Sequence, residues 1–143
     1  MKKKAISLIM MLVLLITSGV PAFAYETKTK NSADSGFNIL LLNVDDAIAY
    51  LNFSGTRADC AAIVDGKSGT SKITATAYLK RVEGNTKTVV KSWTGLSTTD
   101  ESFYFDQPYY VASGYTYEFE LDAAVTRNGV TEYISISDTD YCG

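Results

Sequence analysis

Seven short runs in which apolar and polar residues alternate, separated by Gly, Asn, Ser and Asp, predict an all-β fold of about seven antiparallel strands in two packed sheets. Helical periodicity is nearly absent from the same stretch. Between the last two runs stands Asn128-Gly129, the dipeptide that best supplies the two positive φ angles of a tight hairpin. Strand alternation sends every second side chain to one side, so each run also names its own core face.

The chain opens differently. Lys2, Lys3 and Lys4 precede an apolar run from Ala5 to Ile16, and Pro21 leads into Ala22-Phe23-Ala24. A positive start, a short apolar middle and an A-x-A end are the pattern of a secretion signal, which places cleavage after Ala24. The apolar run falls short of the roughly 20 residues that span a bilayer, so stable membrane insertion is not expected after cleavage. Removing 24 of 143 residues leaves 119, enough for one domain. Three Lys leave with the signal, so 13 basic residues become 10 against 16 acidic, and the mature charge is −6. An acidic chain without a basic cluster does not suit nucleic acid.

Residues 25–36 are polar and aperiodic and read as a flexible lead-in to a domain over 37–143. Phe37 to Val44 is apolar without a deciding period. The first strand is Ala47 to Ser54, with Ala49, Leu51 and Phe53 inward. The second is Arg57 to Val64, with Ala58, Cys60, Ala62 and Val64 inward. Lys72 to Val82 buries Ile73, Ala75, Ala77 and Leu79, and Thr86 to Thr94 carries the single tryptophan, Trp93. Glu101 to Asp106 alternates Phe103 and Phe105 against Tyr104. Tyr115 to Thr126 sends Tyr115, Tyr117, Phe119, Leu121, Ala123 and Val125 inward and Thr116, Glu118, Glu120 and Asp122 outward. Thr131 to Ser137 is the seventh.

Turning about Asn128-Gly129 sets Ala123 opposite Ile134 and Leu121 opposite Ile136, so the two strands share a core face. Continuing that register drives Asp138 and Asp140 inward. Buried carboxylates need partners, and a bulge or a departure from the sheet near Ser137 is therefore expected.

Strand number and spacing point to a sandwich of immunoglobulin-like or fibronectin-III-like type. Tyr117 stands where a tyrosine corner enters the sixth strand of such folds. Cys60 and Cys142 are the only cysteines, and outside the cytoplasm such a pair reads as a disulfide, closing a loop of about 83 residues worth ~4–5 kcal/mol. That bridge does not join the second and sixth strands, and Trp93 is not on the third, so an antibody-type domain is excluded.

Several blocks taken together resemble a known family: Leu51 to Thr56 through Cys60, Gly69 to Leu79, Val90 to Trp93, and Val111 to Tyr117. These blocks, in this order from about residue 48 to the end, are similar to a family of small secreted proteins of Gram-positive bacteria carried as a domain of unknown function. The resemblance implies a secreted β-sandwich and supplies no catalytic or binding residues.

Chemistry is constrained mainly by what the chain lacks. It has no histidine, which removes Ser-His-Asp and Cys-His mechanisms and the commonest zinc ligand. Ser68 or Ser71 beside Lys67 or Lys72 reads as a polar turn. Gly66-Lys67-Ser68 is not a phosphate loop, since position 61 is Ala61. Glu118, Glu120 and Asp122 follow one another on a strand face, as a solvated outer surface does; Asp45-Asp46 and Asp138-Thr139-Asp140 match no calcium loop. No cofactor is called for. Tyr78 and Tyr133 join Glu118, Glu120 and Asp122 on the outward side if the third, sixth and seventh strands are neighbours, and Tyr109 and Tyr110 are read as following Pro108 in a loop. Tyrosines among carboxylates and hydroxyls suit a sugar or a protein contact. The expected function is that of a secreted, non-catalytic module binding an extracellular glycan, cell-wall component or protein. A secreted inhibitor, antagonist or small toxin acting through loops is the alternative.

Overall fold

A computed structural model describes residues 41–143 together with the two-residue strand Lys28–Thr29. The predicted signal over 1–24 lies outside the described residues, as does most of the 25–36 segment. All seven predicted strands form, and each reaches or passes its predicted ends except the fifth, which begins at Ser102 rather than Glu101 and runs on to Tyr110. In chain order the strands are β1 (Lys28–Thr29), β2 (Val44–Ser54), β3 (Arg57–Gly66), β4 (Thr70–Glu83), β5 (Thr86–Thr98), β6 (Ser102–Tyr110), β7 (Tyr115–Arg127) and β8 (Val130–Cys142). They make a five-stranded sheet, β1-β8-β7-β4-β5, and a three-stranded sheet, β2-β3-β6. All pairings are antiparallel except that of β1, which lies parallel to β8 with Lys28 opposite Ser135 and Thr29 opposite Ile136. Those two residues fall inside the stretch expected to be flexible and are instead paired with the sheet.

The turns follow from their residues. Asn128 (φ 52) and Gly129 (φ 76) both adopt positive φ, and the register sets Ala123 on Ile134 and Leu121 on Ile136 as alternation requires. Gly66 has a different task. A Cβ there would collide with the Thr70 side chain, which hydrogen-bonds back to Lys67 O at 2.7 Å and shapes the β3–β4 turn.

The core lies between the two sheets. Leu51, Ala58, Cys60, Ala62, Val64, Phe103 and Phe105 face Ile73, Ala75, Ala77, Leu79, Phe119, Leu121, Val125, Ile134 and Ile136. Phe105 stacks on Phe119 across the gap, with centroids 5.6 Å apart and planes at 13°. The buried Tyr117 ring donates its hydroxyl to Ala112 O at 2.8 Å, which fastens the β6–β7 connection to the core. Burial pushes the Tyr117 phenol above its usual range, so it stays protonated and able to donate.

The register of β8 holds without a bulge to Cys142, contrary to the departure expected near Ser137. Glu132, Ile134, Ile136 and Asp138 share the inward side, and the two carboxylates find their partners on β2 and in the two residues just before it. Asp138 Oδ2 accepts Leu51 N–H at 2.9 Å. Glu132 accepts Leu42 N–H at 3.0 Å and Asn43 N–H at 2.7 Å. Asn43, itself buried, donates its amide to Val125 O at 3.0 Å and Val130 O at 2.9 Å. Asp140 only turns back on its own strand, accepting Tyr141 N–H.

The predicted disulfide does not form: Cys60 and Cys142 are both buried free thiols. They approach the same end of the sandwich at different depths. Cys142 Sγ donates to Gly55 O at 3.4 Å in the β2–β3 turn. Cys60 sits on β3 between Leu51 and Gln107, three residues beyond Arg57, ~10 Å further along the strand. A bridge needs Cα atoms ~4.4–6.8 Å apart. Burial, with the Asp59 carboxylate adding to it, pushes the Cys60 thiol up to about 12.

Two outcomes follow. Asp138→Ala leaves the Leu51 N–H unpaired and destabilises the domain by ~1–3 kcal/mol, read as a lower urea midpoint at unchanged m. Protein denatured without reductant titrates two thiols per chain, whereas in native buffer Cys60 reacts far more slowly. Thiols that appear only after reduction contradict this account.

Candidate functional site

The five residues singled out from the sequence do share the outer surface of the five-stranded sheet. The order β8-β7-β4 brings Tyr133, Asp122, Glu120, Glu118 and Tyr78 to one side. Their environments differ from the solvated row expected. Glu118 is only 7% exposed, because Lys87 reaches over from β5 and its Nζ meets Glu118 Oε2 at 2.6 Å. Lys80 Nζ takes Glu120 Oε1 at 2.6 Å and lies 5.4 Å from the Tyr78 ring centroid. Asp122 stays exposed. Tyr133 is 67% exposed but aligns with Ala124 and Thr74, four residues from Tyr78 along β4 and two strands away, ~16 Å by strand geometry. The two tyrosines do not form one platform, and the glutamates are engaged by lysines.

A second region forms where the sandwich is open. On one side β2 covers β8 and β7; on the other, β5 and β6 barely touch. Between them lies a groove of about 310 Å³ lined by Trp93, Leu96, Ser97, Phe103, Tyr104, Phe105, Asp106 and Gln107. Trp93 opposes the inward-facing Ala77, and a register shift next to it follows Thr94 and Gly95 (φ 71). The indole therefore turns toward the opening. It meets Phe105 edge-on at 5.2 Å and Tyr109 at 6.4 Å, the planes at 70° and 85°. Lys91 Nζ stands 5.7 Å from both the Trp93 and Tyr109 ring centroids.

The free edge of β6 borders this groove. The bonds Val111 N–H to Thr56 O and Gly66 N–H to Glu101 O fix the pairing phase with β3, so the backbone N–H and C=O groups of the odd residues of β6 point to β3 and those of the even ones to the free edge. Pro108 falls at an outward position, where the missing N–H costs nothing. Tyr109 and Tyr110 thus belong to strand β6, not to a loop. The alternation Phe103, Phe105, Gln107, Tyr109 carries the strand past the proline, and that was the available signal. Nothing in the sequence marks Trp93 as half-buried at an edge.

Neither acidic pair assembles a cation site. Asp46 accepts Ala47 N–H at 2.9 Å and Asp138 is bonded to Leu51, and among the described residues no three acidic or cysteine side chains gather within metal-binding reach.

No family model and no curated protein matches this chain. Among solved structures, it is similar to the solution structure of R. palustris CsgH at 11% identity, over 62% of this chain and 87% of that one, with a TM-score of 0.39.

Because Lys87 is half exposed and Glu118 is not, removing the lysine strands a buried carboxylate. Lys87→Met is expected to destabilise by an amount between the ~0–1 kcal/mol of exposed pairs and the ~3–5 of buried ones. Adding Glu118→Gln should restore most of that loss in a thermal or urea melt.

Proposed function

We propose that this chain is a secreted, non-catalytic β-sandwich module of the immunoglobulin-like or fibronectin-III-like class that binds an extracellular glycan in the groove between β5 and β6. The class is supported by strand order and by the tyrosine corner. The sheets β2-β3-β6 and β8-β7-β4-β5 keep the first, second and fifth long strands apart from the third, sixth and seventh. They depart from the constant-type pattern in that the fourth long strand pairs with the third. Secretion rests on residues 2–24, and the resemblance to small secreted Gram-positive proteins belongs to the same proposal.

The observation that carries the ligand reading is the half-buried Trp93 at the open edge, with Tyr109 perpendicular to it and Ser97, Asp106 and Gln107 alongside. A pyranose ring presents C–H groups to an aromatic face and hydroxyls to amides and carboxylates at its rim, which is the mixture found here. The absence of histidine, and glutamates neutralised by lysines, supply no acid–base pair for hydrolysis.

Trp93 is the only tryptophan, so its fluorescence reports occupancy directly. Titration of the mature protein with oligosaccharides from an array, and pull-down on insoluble cell-wall glycan, should shift that emission and retain the protein. Tyr109→Ala should weaken binding at least ~10-fold, about 1.4 kcal/mol, while Tyr133→Ala leaves it unchanged. Loss on Tyr133→Ala with no effect at Tyr109 would move the site to the other sheet.

A further inference from the structure

The three-stranded sheet carries a surface that neither the groove nor the five-stranded sheet explains. On its outer side the register aligns Ile48, Ile63 and Tyr104 in one row and Tyr50 and Ala61 in the next. None of these five packs against the hydrophobic core, and Tyr104 and Tyr50 are 70% and 44% exposed. Two consecutive apolar rows on an outer sheet face are unusual, because water-facing positions in such sheets normally alternate to polar residues. Ile48, Ile63 and Ala61 are half-buried among their strand neighbours, and no described strand packs over this face.

The surroundings are acidic. Asp46 and Asp65 face each other across the row before the patch, and Asp106 ends its second row beside Ala61. None of these three forms a salt bridge among the described residues. Asp59, in the row beyond, is matched by Arg57 at 2.9 Å. Rows on one face are ~6.6–6.8 Å apart, so the carboxylates bracket the apolar centre over ~13 Å.

From this arrangement we infer that the outer face of β2-β3-β6 is a docking surface for a protein partner that presents an apolar side chain between basic ones, as an extended Lys-x-Ile-x-Lys segment does. In an extended segment, residues i and i+4 lie on one side ~13 Å apart, which matches the carboxylate spacing. The unmatched acids select the sign of the partner, and the isoleucines and tyrosines supply the buried area. The same charge disfavours a second copy, since a two-fold contact would set acid against acid. The inference does not rest on a glycan in the groove, although Tyr104 and Asp106 border both surfaces.

The test uses the full mature protein and a fluorescein-labelled peptide of sequence Lys-Thr-Ile-Thr-Lys-Thr-Ile-Thr-Lys, with a Glu-for-Lys peptide of the same length as control. Anisotropy should rise with the basic peptide only and fall back as salt is added. Ile63→Thr should weaken binding at least ~10-fold, and so should the triple change Asp46→Asn, Asp65→Asn, Asp106→Asn, while Tyr133→Ser on the other sheet should have no effect. Circular dichroism and melting curves confirm that each variant is folded. No binding of the basic peptide, equal binding by the triple variant, or a dimer in sedimentation that Ile63→Thr dissociates would each overturn the inference.

Discussion

The two inward carboxylates of β8 determine how the sandwich is closed. Glu132 and Asp138 stand at the ends of a row whose middle is Ile134 and Ile136, and each takes backbone N–H groups from β2 or the residues just before it. The β2–β3 hairpin closes at Ser54 and Arg57, which fixes its pairing phase: Leu51 N–H points away from β3, toward the sheet edge. An edge donor is thereby satisfied, and a buried acid gains a charge-assisted hydrogen bond. With Asn43 holding the β7 and β8 carbonyls, β2 is fastened near its start and at Leu51. Apolar contact between the sheets is not directional; these bonds set which edge of the three-stranded sheet lies over β8.

Closing one side leaves the other open. A three-stranded sheet anchored over β8 and β7 brings β6 only to the margin of β5. Aromatic residues partly fill the gap, and the bulge at Thr94-Gly95 turns Trp93 into it. The mixed exposure of Trp93 and Tyr109 follows from the unequal width of the two sheets and needs no local strain. The covered outer sheet obeys another rule. Lys80 and Lys87 put their ammonium groups on Glu120 and Glu118, so two of the three acids in the row are matched and half-covered while Asp122 stays exposed. Glu118 Oε1 is left buried without a partner, the one such side-chain atom among the described residues.

Most of the strand plan was legible because it rests on local parity. Alternation within Tyr115–Thr126 and the Asn128-Gly129 turn fix the last hairpin, its register and its core face from residues close in sequence. What failed depends on partners far along the chain. Inward Asp138 looks implausible until Leu51, 87 residues away, is known to offer a free N–H. Cysteine counting predicts a bridge but holds no information about depth along β3, where three residues separate Cys60 from the turn that Cys142 touches. Glu118 reads as solvated because the lysine that covers it comes from β5, two strands over. The candidate face was thus identified as a surface, while its chemistry depended on side chains from other strands. Trp93 and the outer row of Ile48 and Ile63 were both visible as residues, and only sheet order shows that one lies at an open edge and the other on an outer face.

Strand β6 joins the two surfaces. Its odd residues, Phe103, Phe105 and Tyr109, face the gap below Trp93, while Tyr104 and Asp106 lie at the border, lining the groove and ending the outer apolar rows. Period two gives one strand two chemistries, and β6 has a hydrogen-bonded neighbour on one side only, so it is held less firmly than β3 or β7. A ligand filling the groove would press on the same backbone that positions Tyr104 and Asp106. If the two proposed sites are both occupied, their shared edge couples them, and each ligand changes the binding free energy of the other by the same amount, whichever arrives first.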